Sequence, residues 1–388
     1  MKARVRKAHV ALVILAAALS VPAATASPGA NAGLPTKIGK GEGSLYLIEW
    51  PAYSDPSFAN KFQKQTGCKI HRKDAGSSNE MVALMRTGGG GGGGQYDLVS
   101  ASGDASLRLI VGGDVQPVNV KLIPSWKDFL PIFKSPAHNT VKGVHYGVSV
   151  QWGPNTLLYN TKKVKPAPTS WSVLYSNKFR GKVTVPNNPI QIADAALYLS
   201  KSKPSLGIKD TYELTSSQLN AAVSLLKKQK RLVKKYWATE ADEINLFKNG
   251  DTTVGASWPY QTLQLQAAKV PVRETIPREG ATGWADTWML AKKAKHPNCA
   301  YKWMQYVTTS AVEAKQAIVF GETPVNPKAC RFMNRIQGGS CAKYHLNAPL
   351  SYYRTIHFWK TPVAACGNGK NNCMDYNAWQ RAWTQVTG

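Results

Sequence analysis

Glu279 to Leu290 reads EGATGWADTWML. After Gly283 the residue types alternate, so an extended strand places Trp284, Asp286 and Trp288 on one face and Ala285, Thr287 and Met289 on the other. An acid between two indoles can cage an ammonium or guanidinium group, each aromatic face adding ~0.5–2 kcal/mol depending on desolvation. The same pattern also suits core packing, with Asp286 bound to a nearby backbone amide. Position separates the two readings: the stretch lies where the chain crosses back from a second set of α/β elements to the first.

Outward from this stretch, strands and helices alternate on both sides. Leu45 to Trp50 reads as a strand that runs into a Pro-rich turn with Tyr53, and a helix follows from about Ser57 to Gln65. A second strand spans Cys68 to about Lys73, and Ser77 with Glu80 forms a capping box for the next helix. Gly88 to Gly94 are seven glycines leading into the strand Tyr96 to Ser100, not into Gly-Lys-Ser/Thr and a helix, so they read as a slack loop and not a phosphate cradle. Ser102-Gly103-Asp104 opens a further helix, with Asp104 either a first-turn acid or a group facing a crevice. Gly143 to Asn160 is β-rich and crosses to the second set. There Lys182 to Val185 and Thr252 to Ser257 are strands, Trp258 follows the latter, and helices run over Ile190–Leu199, after a cap at Thr215 or Ser216, and over Glu240–Phe247. Helices over Cys299–Val307 and Ala311–Val319 and a docking helix over Tyr376–Val386 complete the chain. This order implies a two-lobed α/β fold of two doubly wound domains. Loops at the carboxyl ends of strands then line the crevice.

Composition narrows the class. The chain has 388 residues, 43% hydrophobic, enough for two packed cores. Lys2, Arg4, Arg6 and Lys7, the apolar run Ala8 to Leu19 and Ala24-Thr25-Ala26 have the layout of a cleavable export signal, with an apolar run too short to span a bilayer. Cleavage after Ala26 leaves 388 − 26 = 362 residues outside the cytoplasm, in the periplasm, without a lipid because no cysteine precedes Cys68. Six cysteines in an exported chain favour disulfides, and CGNGKNNC points to Cys366 with Cys373. The net charge of +27 falls to 27 − 4 = +23 without the signal. The lysines are scattered apart from a run at Lys227 to Lys235 on a helix, and no nucleic-acid module is present, so the charge reads as a solvated basic surface. No Gly-x-Ser-x-Gly or His-Glu-x-x-His occurs, and the histidines lack metal-ligand spacing, so neither catalysis nor a metal or other cofactor is expected.

The segments LYLIEWPAYSDP, YDLVSASGD, TSWSVLYSNKFRGKV, VGASWPY, IPREGATGWADTWML and FGETPVNP together resemble the spermidine/putrescine-binding proteins of bacterial ABC importers, over about Ser44 to Asn326. The resemblance implies a type II periplasmic binding protein with crossover strands. Lobe 1 would comprise 44–148 and 285–331. Lobe 2 would comprise 149–284 and 332–388, after a signal at 1–26 and a flexible leader at 27–43. It implies a monomer that closes on a small amine-bearing solute and delivers it to a membrane permease, with no nucleic-acid partner. The family's aromatic positions fall on Trp50, Tyr53, Trp258 and Trp284, and its ammonium-binding aspartate on Asp286. Departures are equally informative. Ala52 stands where the family has a carboxylate, Asn188 and Gln191 replace paired acids, and Asp104 and Glu322 replace tyrosines. Amides carry no charge to offset an ammonium. The resemblance implies a putrescine- or spermidine-like polyamine or a related amine, and the substitutions predict that a solute with one cationic end and a neutral or carboxylate-bearing other end competes well with spermidine, unless Asp104 and Glu322 restore the lost charge. An exported enzyme on the same scaffold is the alternative class.

Overall fold

The computed structural model describes residues 34–89, 94–367 and 369–388. The expected export signal, the leader up to residue 33 and the middle of the glycine run lie outside the described residues. Strands follow in the order β1 (Ser44–Glu49), β2 (Lys69–Asp74), β3 (Leu98–Ser102), a short hairpin of β4 (Thr140–Val141) and β5 (Val144–His145), β6 (Val148–Pro154), β7 (Thr156–Asn160), β8 (Val183–Pro186), β9 (Val233–Trp237), β10 (Val254–Ser257), β11 (Val272–Thr275), β12 (Ala281–Leu290), β13 (Thr323–Pro324) and β14 (Ile356–Phe358).

Two main sheets result. The first runs β13-β6-β12-β3-β1-β2 with β14 also paired to β12, and the second runs β11-β7-β10-β8-β9. β1 pairs in parallel with both β2 and β3, and β8 with both β9 and β10. Parallel neighbours need long crossovers, and helices supply them. Pro56–Thr66 and Ser78–Leu84 connect the first set, while Gln191–Ser202, Ser216–Lys230 and Glu240–Lys248 connect the second. The expected two-part α/β architecture is the one found.

The chain passes between the sheets at adjoining points. β6 lies in the first sheet and β7 in the second, with Asn155 alone between them, and residues 276–280 carry the chain back from β11 to β12. The Asn155 amide donates to the Thr282 carbonyl at 2.8 Å, joining the two crossings. β6 and β12 belong to the first sheet over their whole lengths. The tail beyond residue 332 is shared: β14 pairs with β12 in the first sheet, whereas Trp379, Trp383 and Val386 of the last helix are buried with Leu219, Ala222 and Val223 of Ser216–Lys230. The lobe boundaries at 148 and 284, and a tail belonging to lobe 2 alone, do not coincide with this division of the strands.

β12 is buried at all ten positions, so its alternation separates two interior surfaces. Trp284 and Asp286 face a cavity, whereas Trp288 pairs with Ser100 deeper in β3 and packs edge-on against Trp303, 6.0 Å between ring centroids. Asp286 is therefore not bracketed by two cavity-facing indoles. The shared face continues under helix Pro297–Val307, beyond the cavity floor.

Three disulfides, Cys68–Cys299, Cys330–Cys341 and the expected Cys366–Cys373, leave no free cysteine among the described residues. Cys68–Cys299 closes a loop of 231 residues. In the chain-entropy model such a closure stabilises by about 5.5 kcal/mol. No helix among the described residues is long and apolar enough to cross a membrane.

Candidate functional site

The first wall of the cavity grows from the ends of β1, β3 and β12. Beyond β1 the chain turns sharply, Tyr53 N donating to the Trp50 carbonyl at 3.1 Å, with Ala52 in the left-handed region at φ 73°. Glu49 secures the turn by accepting from Ser54 N and Ser54 Oγ, at 3.1 and 2.6 Å. Trp50 is left at the cavity, and Tyr53 is driven inward until it is fully buried. The Tyr53 phenol donates to Asp286 Oδ2 and lies 3.0 Å from Glu322 Oε1, while Ser102 Oγ donates to Asp286 Oδ1 at 2.5 Å. Phe320 stacks on the Tyr53 ring at 5.5 Å and holds it in place.

A phenol has one hydrogen, and here two carboxylates compete for it. Burial raises the Asp286 pKa to about 7, against the lowering effect of the Ser102 and Tyr53 hydroxyls, with Asp104 adding repulsion. Burial and the neighbouring Asp286 raise Glu322 well above the usual carboxylate range, and Tyr53 is pushed up by burial and by both acids. Glu322 Oε2 has no hydrogen-bond partner. The cluster is thus short of positive charge, and a cation is what it can hold.

The second wall comes from the other sheet. Trp237 ends β9, Trp258 follows β10, and Glu240 opens helix Glu240–Lys248; all three line the cavity, with Asn187 and Asn188. Trp258 Nε1 donates to Asn155 Oδ1 at 3.0 Å, and Trp237 stands edge-on to Trp258 at 4.8 Å. Burial raises the Glu240 carboxyl, and Asp242 adds repulsion. The enclosed space is about 590 Å³, part of it continuous with solvent.

Of the expected binding residues, Trp50, Asn188, Trp258, Trp284, Asp286 and Glu322 line this cavity. Tyr53 stands behind Asp286 and Glu322. Asp104 and Gln191 are not among the lining residues. Asp104 is fully buried and accepts from Ser78 Oγ at 2.8 Å, so Ser78 comes between it and the cavity. Gln191 Nε2 donates to the buried Asp194 at 2.6 Å. Asn188 Oδ1 accepts from Ile190 N at 3.0 Å, which commits it to the turn as well as to the wall.

The sequence reading passed over Trp237, Glu240, Phe320, Trp359 and the Ser77–Ser78 pair. The basic run Lys227 to Lys235, expected on one helix, divides between Ser216–Lys230 and β9, and Trp237 and Glu240 lie at and just beyond the carboxyl end of β9, as Trp258 does for β10. Ser77 also does less than expected as a cap. It accepts from Glu80 N at 3.1 Å, but Glu80 turns to Gly76 N at 2.9 Å, so only half the capping box forms. Trp359 had no local signal. It reaches the cavity because β14 pairs with β12, and its Nε1 donates to Thr282 Oγ1 at 3.4 Å.

Comparison with known proteins gives one consistent picture. The model of bacterial extracellular solute-binding proteins matches residues 57–331. A spermidine/putrescine-binding periplasmic protein of Haemophilus influenzae is 24% identical over 291 residues, covering 74% of this chain and 76% of that protein. A putrescine-binding periplasmic protein of Escherichia coli is 26% identical over 290 residues, covering 70% and 75%. Among solved structures, a spermidine/putrescine ABC transporter substrate-binding protein from Streptococcus pneumoniae superposes with a TM-score of 0.69 at 16% identity, covering 88% of this chain and 97% of that one.

Proposed function

Because the chain belongs to the bacterial extracellular solute-binding proteins, we propose that its solute is a small organic amine of the polyamine type, carried as a cation to an ABC permease. One observation carries this reading. Three of the seventeen cavity-lining residues, Glu240, Asp286 and Glu322, are acids and none is Lys or Arg, in a chain with 49 Lys and Arg against 22 Asp and Glu. The cavity is opposite in sign to the protein around it. A cation entering it meets carboxylates raised by burial and the faces of five tryptophans, Trp50, Trp237, Trp258, Trp284 and Trp359. A carboxylate-bearing solute would meet no cation there, so the lining weighs against the zwitterionic solute that Asn188 and Gln191 suggested.

The working cycle follows from the two walls. Solute reaching groups on both sheets favours the closed arrangement in proportion to its differential affinity for it, roughly 5.5 kcal/mol for a near-complete shift. Closure without chemistry suits a carrier acting as a monomer in the periplasm. Mass spectrometry of the small molecule released on denaturation tests the solute, and titration calorimetry with putrescine, spermidine and 4-aminobutyrate tests its class. Binding of 4-aminobutyrate but neither amine would overturn the reading, and turnover of the released compound would return the enzyme alternative.

A further inference from the structure

We propose that Glu240 is the second anion of the site, set on the wall facing Asp286 and Glu322, and that it makes the protein prefer doubly charged amines over singly charged ones. This rests on the cation-capture reading above and goes beyond it, because it assigns the second charge to a residue that neither the sequence reading nor the family resemblance singled out.

The helix Glu240–Lys248 has three acids in its first turn, and two of them are committed elsewhere. Asp242 closes the capping box with Thr239, accepting from Thr239 N and Ala238 N at 3.1 and 3.0 Å, and it also pairs with Lys235 at 2.8 Å. Glu243 turns inward and accepts from Ser257 Oγ at 2.7 Å. The helix start is therefore complete without Glu240. Glu240 lines the cavity; burial chiefly disfavours its charge, its own backbone N–H favours it, Asp242 adds repulsion, and no lysine or arginine forms an ion pair with it among the described residues. Lys235, the nearest candidate by sequence, is taken by Asp242.

Across the cavity the charge is concentrated at one phenol, where Asp286 and Glu322 meet Tyr53. The two anionic ends belong to different sheets, Asp286 to β12 and Glu240 to the helix after β9. A single ammonium satisfies one end and leaves the other carboxylate desolvated when the walls approach. A diamine satisfies both, with its methylenes against Trp258, Trp284 and Phe320, which line the same space. The acids missing at Asn188 and Gln191 are in this way replaced from a neighbouring loop of the same sheet.

The test is titration calorimetry of the full mature chain with putrescine and with butylamine, in wild type and Glu240→Gln. Wild type should bind putrescine at least about tenfold more tightly than butylamine, and Glu240→Gln should remove most of that advantage by weakening putrescine alone. Thermal unfolding of the unliganded variant should match wild type, because Thr239 and Asp242 cap the helix; Glu240→Ser repeats the measurement should Gln perturb the fold. Equal weakening of both amines, or no change in either, overturns the role of Glu240. Wild type that binds butylamine as tightly as putrescine also overturns it, while leaving cation capture intact. Wild type that binds neither overturns the cation-capture reading and this assignment with it.

Discussion

Asp194 and Asp286 are both enclosed carboxylates tied to β12, one through Thr282 and the other by standing in the strand itself, yet their surroundings differ. Asp194 accepts from the Thr282 hydroxyl, from Gln191 Nε2 at 2.6 Å and from Asn155 Nδ2 at 3.3 Å. Each of these donors is neutral and none is shared with a second acid, and burial still lifts the Asp194 pKa to about 6. Asp286 has two hydroxyl donors, one of them shared with Glu322, and it faces the cavity. A buried acid with donors on its lone pairs is a joint in the framework, here tying both crossings to helix Gln191–Ser202. An acid whose donor is claimed by a second acid has a deficit that only a cation or a proton fills.

The largest effect separating the two comes from Asp286→Asn. Removing one partner of a buried ion pair costs roughly 3–5 kcal/mol, on the order of a few hundredfold or more in amine affinity. The unliganded variant should unfold at the same temperature or higher, since the change relieves the acid cluster. A loss below about tenfold would make Asp286 a framework acid like Asp194 and break the contrast.

Proton release provides the next test. Amines of this class stay charged below about pH 10, so pH dependence of binding reports on the site. Capture requires an ionised carboxylate, and Asp286 titrates at about 7 in the empty protein. Amine affinity should therefore fall by about tenfold per unit below pH 7, and calorimetry in buffers of different ionisation enthalpy should count the protons released. Stability of the empty protein runs the opposite way. Glu49, Asp286 and Asp194 have folded pKa values of about 8, 7 and 6, above the usual carboxylate value of about 4. Between the unfolded and folded values the native state holds more protons, so stability is greatest at the acid end of this window and declines as pH rises from 5 to 8. A midpoint for thermal unfolding that is level over this range, together with level affinity, would mean that Glu49, Asp194 and Asp286 are all already charged when the protein is empty.

Asp194→Asn should show the reverse profile. Its amide would face the amides of Gln191 and Asn155, leaving a buried donor unpaired, and stability should drop by about 1–3 kcal/mol in urea titration. Amine affinity should change only a few-fold, through Trp258 and Trp359, which are held by the same network. An affinity loss equal to that of Asp286→Asn would erase the distinction. The smallest expected effect is that of Trp50→Leu, which keeps apolar bulk and removes one aromatic face. It should weaken amine binding by ~0.5–1 kcal/mol, a few-fold, with Asp194 and the fold untouched.

Much of this molecule was legible from short windows of residues. The strands β1, β8 and β10, the helices Pro56–Thr66 and Pro297–Val307, and the Thr215 cap of Ser216–Lys230 all lie where periodicity and end signals put them. The pairing of Cys366 with Cys373 followed from the loop between them. These features depend on backbone preferences and side chains a few positions apart, which is the range over which sequence pattern is physical. The rule that strand ends feed a crevice pointed to Trp50 and Trp258 without coordinates, and the alternation along β12 set Trp284 and Asp286 on one face, because those residues are placed by their own strands. What required the tertiary structure was the company each residue keeps. Tyr53 and Glu322 meet across 269 residues, Trp359 enters the wall only through the pairing of β14 with β12, and Glu240 is available because Thr239, Asp242 and Lys235 satisfy one another. Long-range register decides such meetings, and the charge deficit at Asp286 exists only once both sheets have closed around it.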